Sequence, residues 1–325
     1  MIGNVVLPGT GADGWLGLRA KIHERITASM GGPEVEAQAA KFEELRRWEA
    51  HGLEHMHIRY HVIDGHFNEA IIVLPDGGVR PAPAVLTIHG TNGQVGKLGV
   101  LDPDGTPNRA FGIELARRGY VTLSPDQFGF GNWLADRDQP QVIDEFFARR
   151  PNWSLDGIRT LEQSRAIDVL ETLDDVDSSP GVGVIGNSLG GRAALHLAAL
   201  DERISAAVPS CGLSPVCSNI YRLLREGRQL CPKLNESLQA NGKPLWEYNE
   251  LLALCAPRAV LLLEPFNDPY NPDIAPVFDC FNAARAVYEL LDEPGKLAIY
   301  THGDGHDVVP SVREMAYNWI ERFLK

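Results

Sequence analysis

Ser188 stands in Gly186-Asn187-Ser188-Leu189-Gly190, after the apolar run 182–185 and before a helical run that opens Leu189-Gly190-Gly191-Arg192. A serine hydroxyl is a weak nucleophile unless it is held rigidly before a base. A sharp strand-to-helix turn presents it that way at the cost of backbone strain, and Gly186 and Gly190 remove side chains that would collide around the turn. The helix N-terminus adds partial positive charge where an oxyanion would develop. The five-residue pattern recurs in glycine-rich loops, so its weight comes from lying between a buried strand and a helix.

A serine so placed needs a base, and the base needs an acid to orient it. Of the ten histidines, only His302 and His306 lie beyond a late strand and before the last helix, in the loop 301–307. His306 follows two glycines that let the chain turn back, so it is the expected base, with His302 as the alternative. For the acid, the apolar strand 259–263 runs into Glu264-Pro265-Phe266-Asn267-Asp268-Pro269. Asp268 lies well into that loop and is the expected acid. Glu264, at the strand's edge, is the alternative, and an Asp-Pro turn is the purely structural reading of Asp268. The oxyanion needs two backbone donors, expected from Leu189 and from Thr91 in His89-Gly90-Thr91-Asn92-Gly93. This chemistry requires no cofactor and no metal. Phe128, Phe130 and Trp133, beyond a strand end, and Trp153 are candidates to line the substrate pocket, although aromatic residues are also ordinary core material.

The elements that must carry these residues alternate. Strands are expected at 55–62, 69–74, 84–88, 120–124, 182–185, 204–209, 259–263 and 297–301. Helices are expected at 109–118, 155–173, 189–200, 245–254, 274–291 and 310–324. Repeated strand–helix–strand units imply an α/β fold with a mostly parallel sheet and helices on both faces. The first two strands are too close for a crossover helix and are expected antiparallel. Residues 1–50 read as a helical extension with a second helix over 35–49. Residues 51–325 read as a single domain in which 213–257 form a partial lid.

Composition narrows the classes. The chain has 325 residues, 44% of them apolar, and a formal charge of −13. That balance disfavours a nucleic-acid or anionic-membrane partner. The N-terminus lacks a basic, then apolar, leader pattern, and no apolar run approaches the ~20 residues of a membrane span. Five scattered cysteines without CxxC spacing read as free thiols, and a cytoplasmic location is expected. Five histidines crowd 51–66. His55, His57 and His61 fall on one face of a strand where zinc is conceivable, but no carboxylate or cysteine completes a site by spacing. His89 and His196 read as structural. The exposed N-terminal helices are a candidate homo-oligomer contact.

With these motifs in place, the chain from about residue 83 onward resembles the α/β-hydrolase superfamily of serine esterases. Within it, the likeness is to acetyl xylan esterase/cephalosporin deacetylase-type and dienelactone-hydrolase-like enzymes. His89-Gly90-Thr91-Asn92-Gly93 is similar to their oxyanion loop, with Thr91 where the acetyl esterases usually have tyrosine. Gly186 to Gly191 resembles their nucleophile turn, Asn267 to Pro272 their acid loop, and Gly305-His306-Asp307 their histidine loop. The resemblance implies hydrolysis of a small-molecule ester, with a small acyl group or an aromatic one, through an acyl-enzyme. Two rival readings are a serine peptidase of the prolyl-oligopeptidase type and a catalytically silent binding protein with this fold.

Overall fold

The computed structural model describes residues 2–7, 9–32, 39–63, 65–77, 80–218 and 230–325. The described strands are β1 (Phe42–Ala50), β2 (Leu53–Ile63), β3 (His66–Leu74), β4 (Ala84–Ile88), β5 (Val121–Pro125), β6 (Val182–Asn187), β7 (Ile204–Ser210), β8 (Ala259–Pro265) and β9 (Leu297–His302). The described α-helices are α1 (Ala12–Ser29), α2 (Phe111–Arg117), α3 (Gln139–Arg149), α4 (Leu155–Leu170), α5 (Leu189–Leu200), α6 (Pro232–Asn241), α7 (Tyr248–Leu254), α8 (Ala275–Leu290) and α9 (Pro310–Leu324).

The strands form one sheet in the order β1-β2-β3-β5-β4-β6-β7-β8-β9. β1, β2, β3 and β5 pair antiparallel in succession, and β5 through β9 are mutually parallel. Successive side chains on a strand face opposite sides, and the core divides accordingly. Leu86, Val184, Ala207 and Leu262 face one cluster with residues of α1, α4, α5, α7 and α8. Val85, Ile185, Val208 and Leu263 face the other, with Phe111 and Ile113 of α2 and Val312, Tyr317 and Ile320 of α9. The chain leaves β4 toward β5 on one side and returns through β6 on the other. The switch point therefore lies at the carboxyl ends of β4 and β6, where open α/β sheets bind ligands.

Two expectations are corrected. Of the helix expected over 35–49, residues 42–49 are strand instead, and residues 35–38 lie outside the described residues. Phe42-Glu43-Glu44-Leu45-Arg46-Arg47-Trp48 is rich in helix formers, but helix propensities are worth only a few tenths of a kcal/mol per residue, and edge pairing with β2 outweighs them. Cross-strand contacts support it: Arg47 pairs with Glu54, and Trp48 stacks on His55 at 5.2 Å between ring centres. The sheet thus begins before residue 51. The first helix does form, and it docks on the main body through buried Trp15, Ile22, Ile26 and Met30. Ser29 Oγ accepts from Trp246 Nε1 at 2.9 Å, and Met30 O accepts from Ser154 N.

The second correction concerns 213–257. Trp246 and α7 are buried core rather than lid, whereas residues 219–229 lie outside the described residues. No helix among the described residues is long and apolar enough to cross a membrane. The five cysteines are free thiols.

Candidate active site

Ser188 is the single residue between β6 and α5, at φ 60°, ψ −120°. A non-glycine residue there carries strain on the order of 1–3 kcal/mol, so the surroundings must hold it. They do so by close approach. Ser188 N donates to Ser210 O at 2.8 Å, and Ser188 O accepts from Arg192 N at 2.9 Å. A Cβ on Gly190 would collide with the Ile88 carbonyl, and one on Gly186 with Gly190 O. The two glycines are thus needed for contact between the turn and β4. Leu189 N–H, in the first position of α5, has no acceptor within its helix and is available to a ligand.

The loop after β4, from which Thr91 is expected to supply an oxyanion donor, is braced by His89. Gln127 N–H donates to His89 Nε2 at 3.0 Å, so the ring proton sits on Nδ1 and is donated to Gly90 O at 2.7 Å. In a trans peptide the N–H points opposite its carbonyl, so holding Gly90 O fixes the direction of Thr91 N–H. Burial pushes His89 down to about 4, which keeps this ring neutral. The structural reading of His89 stands, and it serves the site.

His306 and Asp268 meet from the loops after β9 and β8: His306 Nδ1 donates to Asp268 Oδ2 at 2.7 Å. Asp268 Oδ1 accepts from Tyr270 N at 2.7 Å. Burial works to raise the Asp268 pKa, but the bonds from His306 and Tyr270 outweigh it and hold the carboxyl below its ordinary value. Asn267, which nothing in the sequence singled out, laces the two loops: its Nδ2 donates to Gly303 O at 2.8 Å and its Oδ1 accepts from Gly305 N at 3.0 Å. Tyr270 packs edge-on to His306 at 4.7 Å, and Arg109 holds His306 O at 3.1 Å.

The alternatives have other partners. Glu264 is buried and accepts from Gly212 N (3.2 Å) and Leu213 N (3.0 Å), bracing the turn after β7; burial raises its pKa to about 8. His302 is buried against Tyr300, 3.6 Å from Asp304, and neither ring nitrogen has a hydrogen-bond partner among the described residues. Neither joins the Asp268–His306 pair.

Ser188, Leu189, Thr91, Asp268 and His306 all line one cavity of about 400 Å³. Of the four aromatic candidates, only Phe130 lines it. Phe128 and Trp133 pack on each other and on His66, and Trp153 sits against Phe146 and Gly31, all behind the wall. These three are thus corrected from the pocket lining: the turn 128–131 sends Phe128 into the core, and Trp133 and Trp153 are half-buried residues packed against that core. Further lining residues that the sequence did not mark include Gln139, Ile143, Arg159, Arg192, Cys211 and Asn271.

Among the described residues, Cys211, Asp268 and His306 are the group with ligand atoms close enough for a metal ion, within 4.8 Å of one another. Two of them already share the short hydrogen bond. In the histidine cluster, His55 stacks on Trp48, His57 lies 2.8 Å from Glu69, and His61 packs edge-on to Phe67.

A family model described as the alpha/beta hydrolase family matches residues 85–323. YtaP of Bacillus subtilis (strain 168), which carries the name of a hydrolase, is 27% identical over 261 residues, 78% of this chain and 83% of that protein. The 4-O-methyl-glucuronoyl methylesterase of Schizophyllum commune (strain H4-8 / FGSC 9210) is 28% identical over 183 residues, half of this chain and 46% of that protein. Among solved structures, a glucuronoyl esterase from Solibacter usitatus superposes with a TM-score of 0.78 at 19% identity, covering 98% of this chain and 95% of that one. The chain belongs to the alpha/beta hydrolase family.

Proposed function

We propose that the chain is a serine-dependent ester hydrolase that works through Ser188, His306 and Asp268 and an acyl-enzyme. The observation that carries this reading is the 2.7 Å bond between His306 Nδ1 and Asp268, on the cavity that the strained Ser188 turn also lines. With its Nδ1 proton donated to the carboxylate, His306 keeps the Nε2 lone pair for the serine proton. Ser188 Oγ attacks the ester carbonyl carbon while Nε2 takes its proton, and Leu189 and Thr91 N–H groups donate to the oxyanion. Collapse breaks the bond to the alcohol oxygen, which leaves with the proton from His306. Water then attacks the acyl carbonyl, gives its proton to Nε2, and Ser188 leaves with that proton restored. Asp268 remains ionised and stabilises the imidazolium in both halves. These steps use no metal or organic cofactor.

The substrate class we propose is a carbohydrate ester, with small acyl and aromatic esters as simpler surrogates. The names of the similar proteins support it: one relative is a glucuronoyl methylesterase and one solved neighbour a glucuronoyl esterase. A cavity of about 400 Å³ with apolar Phe130, Ile143 and Leu155 beside polar Gln139, Ser214 and Asn271 suits a sugar-sized group. The test is a panel of aryl acetates, acetylated sugars, methyl uronates and aminoacyl arylamides. Carbohydrate esters should have the highest kcat/KM, and Ser188→Ala should abolish turnover. Arylamides turned over faster than every ester, or a Ser188→Ala protein that keeps a tenth of its activity, would overturn the reading.

A further inference from the structure

A buried guanidinium is stable when a carboxylate, or acceptors for all its N–H groups, surround it. Arg159, on the buried helix α4, departs from that rule at the cavity wall. It is 4% exposed and lines the same cavity as Ser188 and His306. Its Nε and Nη2 donate to a single acceptor, Phe128 O, at 3.2 and 3.1 Å. Its Nη1 has no acceptor among the described residues, and no described carboxylate lies within 4 Å of the group. The guanidinium lies 5.4 Å from the centre of the Phe130 ring, itself on the cavity wall.

The carboxylates whose charges reach Arg159 are committed elsewhere. Asp156 is held by Arg192 Nε and Nη2 at 3.0 and 2.6 Å. Glu162 takes His66 Nε2 at 2.9 Å and Phe128 N at 2.8 Å. Of the other charged groups on the wall, Arg192 is matched by Asp156, and Asp268 is paired with His306. Arg159 is therefore the one charge on the described wall without an ion-pair partner. Burial lowers its pKa to about 10, with Asp156 and Glu162 working against the fall, so the group is still a cation at neutral pH.

We propose that Arg159 anchors a free carboxylate on the substrate, so that the enzyme selects esters bearing an acid group over neutral esters of the same shape. This rests on the serine-esterase reading above and adds the charge of the substrate to it. A guanidinium is suited to the task because its planar fork matches the two carboxylate oxygens. The bond to Phe128 O orients the fork, just as Glu162 holds the N–H of the same residue.

The test uses two matched pairs, p-nitrophenyl acetate against mono-p-nitrophenyl glutarate and phenyl acetate against 3-acetoxybenzoate. They place the acid on the acyl side and on the alcohol side. The readout is the ratio of kcat/KM within each pair, corrected for uncatalysed hydrolysis, which cancels any general loss of activity. The wild-type protein should favour the acid-bearing member of one pair at least tenfold. Arg159→Gln should bring that ratio close to one, and Arg159→Lys, which keeps the charge, should restore part of it. Wild-type ratios near one in both pairs overturn the proposal. So does an Arg159→Gln protein that slows both members alike and leaves the ratio intact, as a mere brace for the Phe128 turn would. Failure of the esterase reading looks different: none of the four esters is hydrolysed and Ser188 resists a fluorophosphonate, which removes both proposals together.

Discussion

Asp268→Asn keeps the size of the acid and removes its charge, and the surrounding bonds dictate how the new amide must sit. One carboxylate oxygen of Asp268 accepts from Tyr270 N and the other from His306 Nδ1, both at 2.7 Å. An amide offers a single accepting oxygen, which the Tyr270 N–H claims, so its NH2 group turns toward His306. The imidazole then presents a lone pair at Nδ1 and carries its proton on Nε2, the tautomer that cannot accept from Ser188. In serine hydrolases of another fold, that change lowers kcat by about 10⁴, or about 5 kcal/mol at ~1.36 kcal/mol per tenfold. The assay is kcat and KM for p-nitrophenyl acetate at pH 7 to 8, with thermal melting to verify folding. The loss should fall on kcat, because Asp268 touches the ring of His306 rather than the carbonyl under attack. A loss below about tenfold, or a larger loss in Glu264→Gln than in Asp268→Asn, would remove Asp268 from the role of the orienting acid.

Glu264 gives a prediction about stability. Its folded pKa of about 8 lies above the ordinary 4.5, so the folded state holds an extra proton between those values. Stability should therefore fall as pH rises from about 4.5 through 8, by several kcal/mol in total. Glu264→Gln should flatten that slope in urea titrations at pH 5 and pH 8, and an unchanged slope would show that another group sets it. Trp15, 1% exposed under α1, should cost about 3–5 kcal/mol on replacement by alanine, read as a lowered denaturation midpoint. A loss below 1 kcal/mol would mean that the first helix only rests on the main body.

The parts of the molecule legible in the sequence were those set by local rules. The Ser188 turn, the buried parallel strands and the two late loops that bring Asp268 to His306 each combine an apolar run with a glycine or proline break. Strand β1 was not legible, because its residues prefer helix and only the edge of β2 makes them a strand. The aromatic wall was not legible either: whether Phe128 or Phe130 faces the cavity depends on a turn held by Glu162 and Arg159 from α4. All sixteen residues of α4 are buried, including Arg159, Glu162, Arg165 and Asp168, so amphipathic periodicity could not separate core from site. Asn267, Gln127 and Arg159 act through contacts between distant segments, and residue type alone carries no signal for that.

The most direct measurement is covalent labelling of the intact protein with a fluorophosphonate, followed by peptide mapping. One label per chain is expected, on Ser188, in step with loss of esterase activity. Ser188→Ala should take no label, and Asp268→Asn should label slowly. A label on another residue, or full hydrolytic activity in a preparation with Ser188 replaced, would contradict it.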